Sequence, residues 1–242
     1  MVEITFGKIV AEIVFGLTRV REGIKISAAE LLASVLEKEY SMSRKDKLPV
    51  QTFLSLFLIQ CSWPACFYFV YFYCSNILKQ SFGYSSEQVI HHNFILSLVQ
   101  LASIIVLTHL SYYIYPMKIV KFKLIIFSLL TLACPILLNI TRNPHELLIF
   151  QSLFMVLISC SVPAVPIFFR HFPVFKRFTY TGLSYALSRA IVYVITSFGF
   201  VYTTKYLGHW GILVILIPIN LGFAFGFNHF ETLERKVANN AS

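Results

Sequence analysis

The sequence predicts an all-α membrane protein with six transmembrane helices, and three observations carry that prediction. Six long stretches almost free of charge fill residues 48–230. The chain is 57 % hydrophobic and its mean hydropathy is +0.72. Its basic residues are distributed very unevenly between the connecting segments. A helix needs about 20 apolar residues to cross a hydrocarbon core about 30 Å thick. A soluble domain of this composition would expose more apolar surface than soluble proteins tolerate.

The stretches follow in order. The first lies between Lys47 and Lys79, with Pro64 near its middle. The second is 88–117, the third 124–141 and the fourth 147–169, the last with Pro163 and Pro166 near its end. The fifth is 178–204 and holds the only charge within any of the six, Arg189. The sixth, 206–230, carries Gly222 and Gly226 in a G-x-x-x-G spacing that permits close helix packing. The predicted organisation is a cytoplasmic segment at 1–48, a six-helix bundle at 49–230 and a cytoplasmic tail at 231–242. Within the first segment, Ser27–Tyr40 reads as a short helix opened by a Ser27/Glu30 capping box. Residues 1–17 read as the last turns of a preceding helix, because Glu3, Lys8 and Glu12 interrupt any secretory apolar run.

Orientation follows from charge. Sixteen Lys and Arg residues flank the spans on one side of the membrane and three, Lys79, Arg142 and Lys205, on the other. Cytoplasmic loops carry the basic excess, so both termini are expected in the cytoplasm of a multi-pass protein of the lipid bilayer. The net charge of +9 is thus a topological signal and not a nucleic-acid footprint.

Chemistry is sparse. None of the eleven acidic residues falls inside a stretch, which excludes an intramembrane aspartyl protease. His145-Glu146 lacks the second histidine of H-E-x-x-H, and Gly182-Leu183-Ser184 lacks the last glycine of G-x-S-x-G. No C-x-x-C joins the five cysteines. The chain reads as no enzyme, with no cofactor and no metal.

Arg189 is the exception. Counted from Phe178, it lies roughly 17 Å into its helix, near the bilayer midplane. A charge there faces a bundle interior or a cavity. It is either an anion contact in a transport path or a brace against neighbouring carbonyls. Thr181, Tyr185, Ser188, Thr196 and Thr203 give its helix a polar side. Trp63 and Tyr68, flanking Pro64, are the aromatic candidates for an ammonium group, set against a plain packing role. The candidate substrate-binding residues are therefore Arg189, Tyr185, Trp63 and Tyr68.

Phe172-Pro173-Val174-Phe175-Lys176-Arg177-Phe178-Thr179 resembles the F-P-x-x-x-R-[YF]-[ST] element before the eleventh helix of the metabolite:proton symporter family, within the major facilitator superfamily. Pro64-Ala65-Cys66-Phe67-Tyr68-Phe69 and Phe82-Gly83-Tyr84-Ser85 are similar to that family's seventh helix and the loop after it. Thr18-Arg19-Val20-Arg21-Glu22 is similar to the stretch following its sixth helix. The resemblance covers nearly the whole chain as the C-terminal half of a twelve-helix fold. It implies a truncated or split proton-coupled symporter for a small zwitterion such as proline or betaine. It implies a place in the cell membrane, the inner membrane in a Gram-negative cell. It also implies a separately encoded N-terminal half as partner, without which the chain does not transport. The alternative is a non-transporting multi-pass protein that serves as a scaffold or partner subunit.

Overall fold

A computed structural model describes Glu37, residues 50–158 and residues 161–241, without the side chains of 174, 175, 240 and 241. The chain divides into two units. One comprises Met1–Leu48 and Pro173–Lys176. Glu37 in it is helical and exposed. The rest of the expected Ser27–Tyr40 helix, and the Thr18–Glu22 stretch, lie outside the described residues.

The other unit comprises Pro49–Phe172 and Arg177–Ser242. Among its described residues it is helical throughout, with no strand. The first helix, α1 (Val50–Tyr68), passes into a π-helical segment, Phe69–Tyr73, and then α2 (Cys74–Phe82). Pro64 stands inside α1 and leaves the Gln60 carbonyl without its intrahelical donor. Gly83 ends α2 in the left-handed region, φ 67°, and donates to the Leu78 carbonyl. α3 (Ser86–Leu110) opens on a reciprocal cap between Ser85 and Gln88. α4 (Pro116–Ile140) and α5 (Pro144–Leu157) each begin with proline, whose missing N–H costs nothing at that position. Glu146 accepts the backbone N–H groups of Arg142 and Asn143 before α5. α6 (Val165–Arg170) is short. α7 (Val174–Leu207) leads through a 3₁₀ turn, Gly208–Trp210, into α8 (Gly211–Ala241).

Among the described residues, four helical stretches are long and apolar enough to cross a membrane: Val50–Phe82, Ser86–Leu110, Pro116–Ile140 and Lys176–Asn239. They mark the protein as membrane-embedded. The last, at 64 residues, is a hairpin. A Cβ on Gly199 would lie 2.8 Å from Ile215 Cδ1, whereas sixteen residues of straight helix would hold them about 24 Å apart. Gly208, φ 56°, makes the reversal.

The elements depart from the sequence expectation in three places. The expected fourth span, 147–169, is broken into α5 and α6. Pro163 disfavours helix at itself and at Val162, and Pro166 stands in the first turn of α6, where proline suits a new helix start. The 14 residues of α5 reach only about 21 Å. The third helix begins at Pro116 and not at 124, so Lys118, Lys121 and Lys123 belong to α4 and not to a loop. The expected tail at 231–242 continues α8 to Ala241, since nothing in 227–241 breaks a helix.

Two clusters make the interior. One gathers Phe69, Phe154, Phe127 and Phe200 with Cys74 and Cys134. The other joins Leu56, Ile59, Phe168, Phe172, Phe223 and Phe227. Lipid is as apolar as these side chains, so the gain is close packing and not exclusion from water. Packing is tightest between α1 and α8. A Cβ on Gly226 would meet the Ser55 carbonyl oxygen at 2.4 Å, and one on Gly222 would meet Leu58 Cδ2 at 3.2 Å. The G-x-x-x-G spacing is thus what lets the two backbones touch. α3 is peripheral: in its most apolar window 6 % of residues are buried.

Candidate functional site: a cationic cavity between the helices

A cavity of about 360 Å³ opens between α1, α3, α4, α7 and the segment joining α5 to α6. Its wall includes Trp63 and Gln60 from α1, Gln100 and Ser103 from α3, and Tyr185 and Arg189 from α7. Most of its remaining wall is aliphatic, and among the described residues no carboxylate lines it. Its size suits a small metabolite.

Arg189 stands near the middle of the 34-residue α7. Its guanidinium carbon lies 3.3 Å from the centroid of the Tyr185 ring, one turn earlier. This i, i+4 stacking holds the guanidinium by a cation–π contact. Its Nη1 is buried and has no hydrogen-bond partner. A buried donor left unmade is costly, and the residue that carries it lines the cavity. Gln60 reaches the same wall from the turn that Pro64 leaves short of one donor.

The structure brings Trp63, Tyr185 and Arg189 to one cavity and leaves Tyr68 outside its wall. Tyr68 is stacked on Phe72 at 5.0 Å and on Phe200 at 5.8 Å. Five residues separate it from Trp63, which is about 140° around a straight helix. Ser184 Oγ of α7 is buried without a partner, but four other hydroxyls of that helix point back at their own backbone. Thr181 donates to the Arg177 carbonyl, Ser188 to that of Tyr185, Thr196 to that of Val192 and Thr203 to that of Gly199. They satisfy themselves and contribute no polar wall.

Lys123 was missed by the sequence reading. It is 5 % exposed, lines the cavity, and also engages a neighbouring group. The available signal was Pro116 as a helix start, followed by Met117, Val120 and Leu124 at helical spacing.

A polar chain reaches the cavity along α3. Asn93, Ser97 and Gln100 recur on one helix face. Asn93 donates to Ser75 Oγ at 3.1 Å, Tyr71 Oη lies 3.1 Å from Ser97 Oγ, and Tyr71 donates to Gln100 Oε1 at 3.2 Å. Nearby, buried Gln151 lies with Oε1 2.7 Å from His92 Nε2 and donates to the Val70 carbonyl at 2.8 Å. That carbonyl belongs to the π-helical segment, whose altered bonding leaves an acceptor for a side chain. Adjacent His91 is exposed, so the two histidines diverge.

The basic end of the bundle is held by α8. Glu234 accepts from Tyr115 at 2.7 Å, pairs with His171 at 2.7 Å and is bridged by Arg170 through two nitrogens. Glu231 pairs with Lys121 and with Arg235, each at 2.9 Å. Burial works against the charge of Glu234, but hydrogen bonds from Arg170, Tyr115 and His171 hold its carboxyl below the usual range. The Lys121 ammonium does the same for Glu231, against a smaller effect of burial. Arg177, the arginine of the F-P-x-x-x-R element, donates to the Phe172 carbonyl at 3.3 Å and satisfies an acceptor just past α6.

No family model matches the chain, and no curated protein or solved structure matches it.

Proposed function

We propose that this bundle supplies one half of the path of a secondary transporter for a small carboxylate-bearing metabolite. The observation that supports this reading is the cavity around Arg189. Arg189, mid-way along α7, lines a space of metabolite size, and one of its guanidinium nitrogens is buried without a partner. Charge at such a depth is retained where it meets a partner or an ion path. The planar fork of arginine suits a carboxylate.

In this reading the chain crosses the bilayer six times. The broken α5–α6 segment counts as one crossing and the α7–α8 hairpin as two. The basic excess keeps both ends in the cytoplasm. A second six-helix bundle completes the path, as the resemblance to the metabolite:proton symporters implies. Proline and betaine are the solutes that the resemblance names. The bundle performs no covalent chemistry and needs no cofactor. Proton coupling resides in the completing half, since no Asp or Glu falls within the six apolar stretches of the sequence.

Uptake of radiolabelled proline and betaine into vesicles tests the reading. Vesicles holding this chain with a completing half should accumulate solute, and Arg189→Leu should abolish it. The chain alone should give no uncoupler-sensitive accumulation. Robust accumulation by the chain alone, or uptake indifferent to Arg189, overturns the proposal and favours a scaffold or subunit role.

A further inference from the structure

We propose that a groove between the start of α4 and the end of α8 holds the headgroup of an anionic phospholipid, from the leaflet on the basic side of the bundle. The groove measures about 510 Å³ and shares no wall residue with the Arg189 cavity. The assignment rests on the membrane-embedded bundle and is independent of the transport reading. Four cations line the groove, Lys118, Lys121, Arg170 and Arg235, against two carboxylates, Glu231 and Glu234. Both carboxylates are already shared. Glu231 pairs with Lys121 and Arg235, and Glu234 pairs with Arg170 and His171. The wall thus keeps a surplus of positive charge after its own ion pairs are made. Lys118 is the clearest part of that surplus: it is exposed, and its side chain makes no ion pair among the described residues. Lys121 and Arg170 are half exposed and Arg235 more so, and each has more N–H donors than its pair uses. Buried Met117 and Phe227 add apolar surface between the charges.

Two counts put this groove at the height of lipid headgroups. About 20 helical residues cross the hydrocarbon. Counted back from Ile140, the far end of α4, they reach Lys121. Counted forward from Gly211, the start of α8, they reach Phe230, next to Glu231. The Lys121–Glu231 ion pair, at 2.9 Å, joins the two helices at this level. Tyr112 and Tyr113, exposed just before α4, suit the same interfacial layer. Lys118 also heads an apolar stripe. Phe122, Ile125, Leu129, Leu132 and Ile136 follow it at helical spacing, and all five are exposed. A phosphate held at Lys118 therefore belongs to a lipid whose acyl chains lie along α4. A free phosphate gains nothing from that stripe, whereas headgroups are concentrated at this depth, and basic pockets between helices there bind anionic lipid. Choline or ethanolamine headgroups bring a cation of their own to a wall whose carboxylates are both engaged, so a headgroup with net negative charge is preferred.

Lipid retained by the purified full chain in a neutral detergent, counted by native mass spectrometry, tests the assignment. Phosphatidylglycerol should be retained about fivefold or more over phosphatidylcholine and phosphatidylethanolamine of the same acyl chains, the preference expected of a single basic side chain at the membrane surface. Lys118→Gln should lower phosphatidylglycerol retention by a similar factor, and Lys118→Arg, which keeps the cation, should not. Lys79→Gln removes an exposed lysine at the opposite end of the bundle and should leave retention unchanged. Helicity is checked for each variant by circular dichroism. Equal retention of the zwitterionic lipids overturns the proposal, and so does phosphatidylglycerol retention undiminished in Lys118→Gln. A loss as large in Lys79→Gln assigns retention to overall charge and overturns it equally. Displacement of phosphatidylglycerol by millimolar sn-glycerol 3-phosphate assigns the groove to a soluble phosphate and overturns the lipid assignment.

Discussion

Arg189 and Gln151 show two ways in which a single polar side chain lives between apolar helices. Gln151 is fully satisfied, with His92 at one end of its amide and the Val70 carbonyl at the other. Gln151→Leu removes both partners at once and should destabilise the bundle by about 1–3 kcal/mol, read as a lowered unfolding midpoint in detergent. An unchanged midpoint would mean that the buried amide contributes no net stability. Arg189 is only partly satisfied, stacked on Tyr185 with Nη1 unmatched. In a completed transporter, Arg189→Lys keeps the charge but loses the fork. It should weaken solute binding at least tenfold, about 1.4 kcal/mol, without loss of the protein from the membrane. If Arg189→Leu binds solute as the parent does, the residue is a brace. These two residues differ in legibility. Arg189 stands out because one charge in an uncharged run has few structural excuses, and Tyr185 follows from it at i−4. Gln151 and Lys123 do not stand out. A neutral amide leaves no mark in a charge count, and Lys123 falls at the edge of an apolar run, where loop and helix end look alike. Tyr68 was grouped with Trp63 for its proximity to Pro64, although helical geometry sets the two on different faces.

Elements were legible where one residue has one structural use. The Gly222/Gly226 spacing is such a case. They were less legible where the break depends on context. Pro64 stands buried inside α1 and leaves it unbroken, whereas Pro163 lies between α5 and α6 and Pro166 opens α6. Contact at Gly226 yields a sharp expectation. Gly226→Leu would force a side chain into the Ser55 carbonyl and the Ile59 side chain. It should lower stability by at least about 1–3 kcal/mol, the ordinary cost of overpacking. Gly182→Ala, with nothing within 4 Å of the added Cβ, should be neutral or slightly stabilising by the helical preference of alanine. Equal effects of the two changes would remove the argument for close α1–α8 contact. At the basic end, Glu234 and Glu231 have lowered carboxyl affinities for protons. Their contribution is full above the ordinary carboxylate range and is lost as pH falls through their lower folded values. Thermal stability should therefore decline below about pH 4, and Glu234→Gln should flatten that decline. An identical pH slope in the variant would show that the Arg170–Glu234–His171 cluster carries no stability.

The whole molecule is governed by the bilayer. Membrane embedding was legible at once, because length and apolarity decide it. The breaks between helices were not, because one expected span is interrupted near its prolines and two others meet at a turn of three residues. Labelling of single cysteines tests the arrangement. Substitutions near Gln80 and Asn143 should react from outside intact cells, and one at Lys121 should not. Reaction of Lys121→Cys from outside would contradict the orientation. The proposed function requires that water reach the cavity lined by Arg189 and Lys123. Its most direct test is the reactivity of Ser103→Cys, on the cavity wall, against Leu129→Cys, which is exposed on the outer face of α4. With a small, charged, water-soluble thiosulfonate in membrane vesicles, the account predicts that Ser103→Cys reacts at least tenfold faster, because only a hydrated thiol ionises and meets the reagent. Ser103→Cys reacting no faster than Leu129→Cys would contradict it.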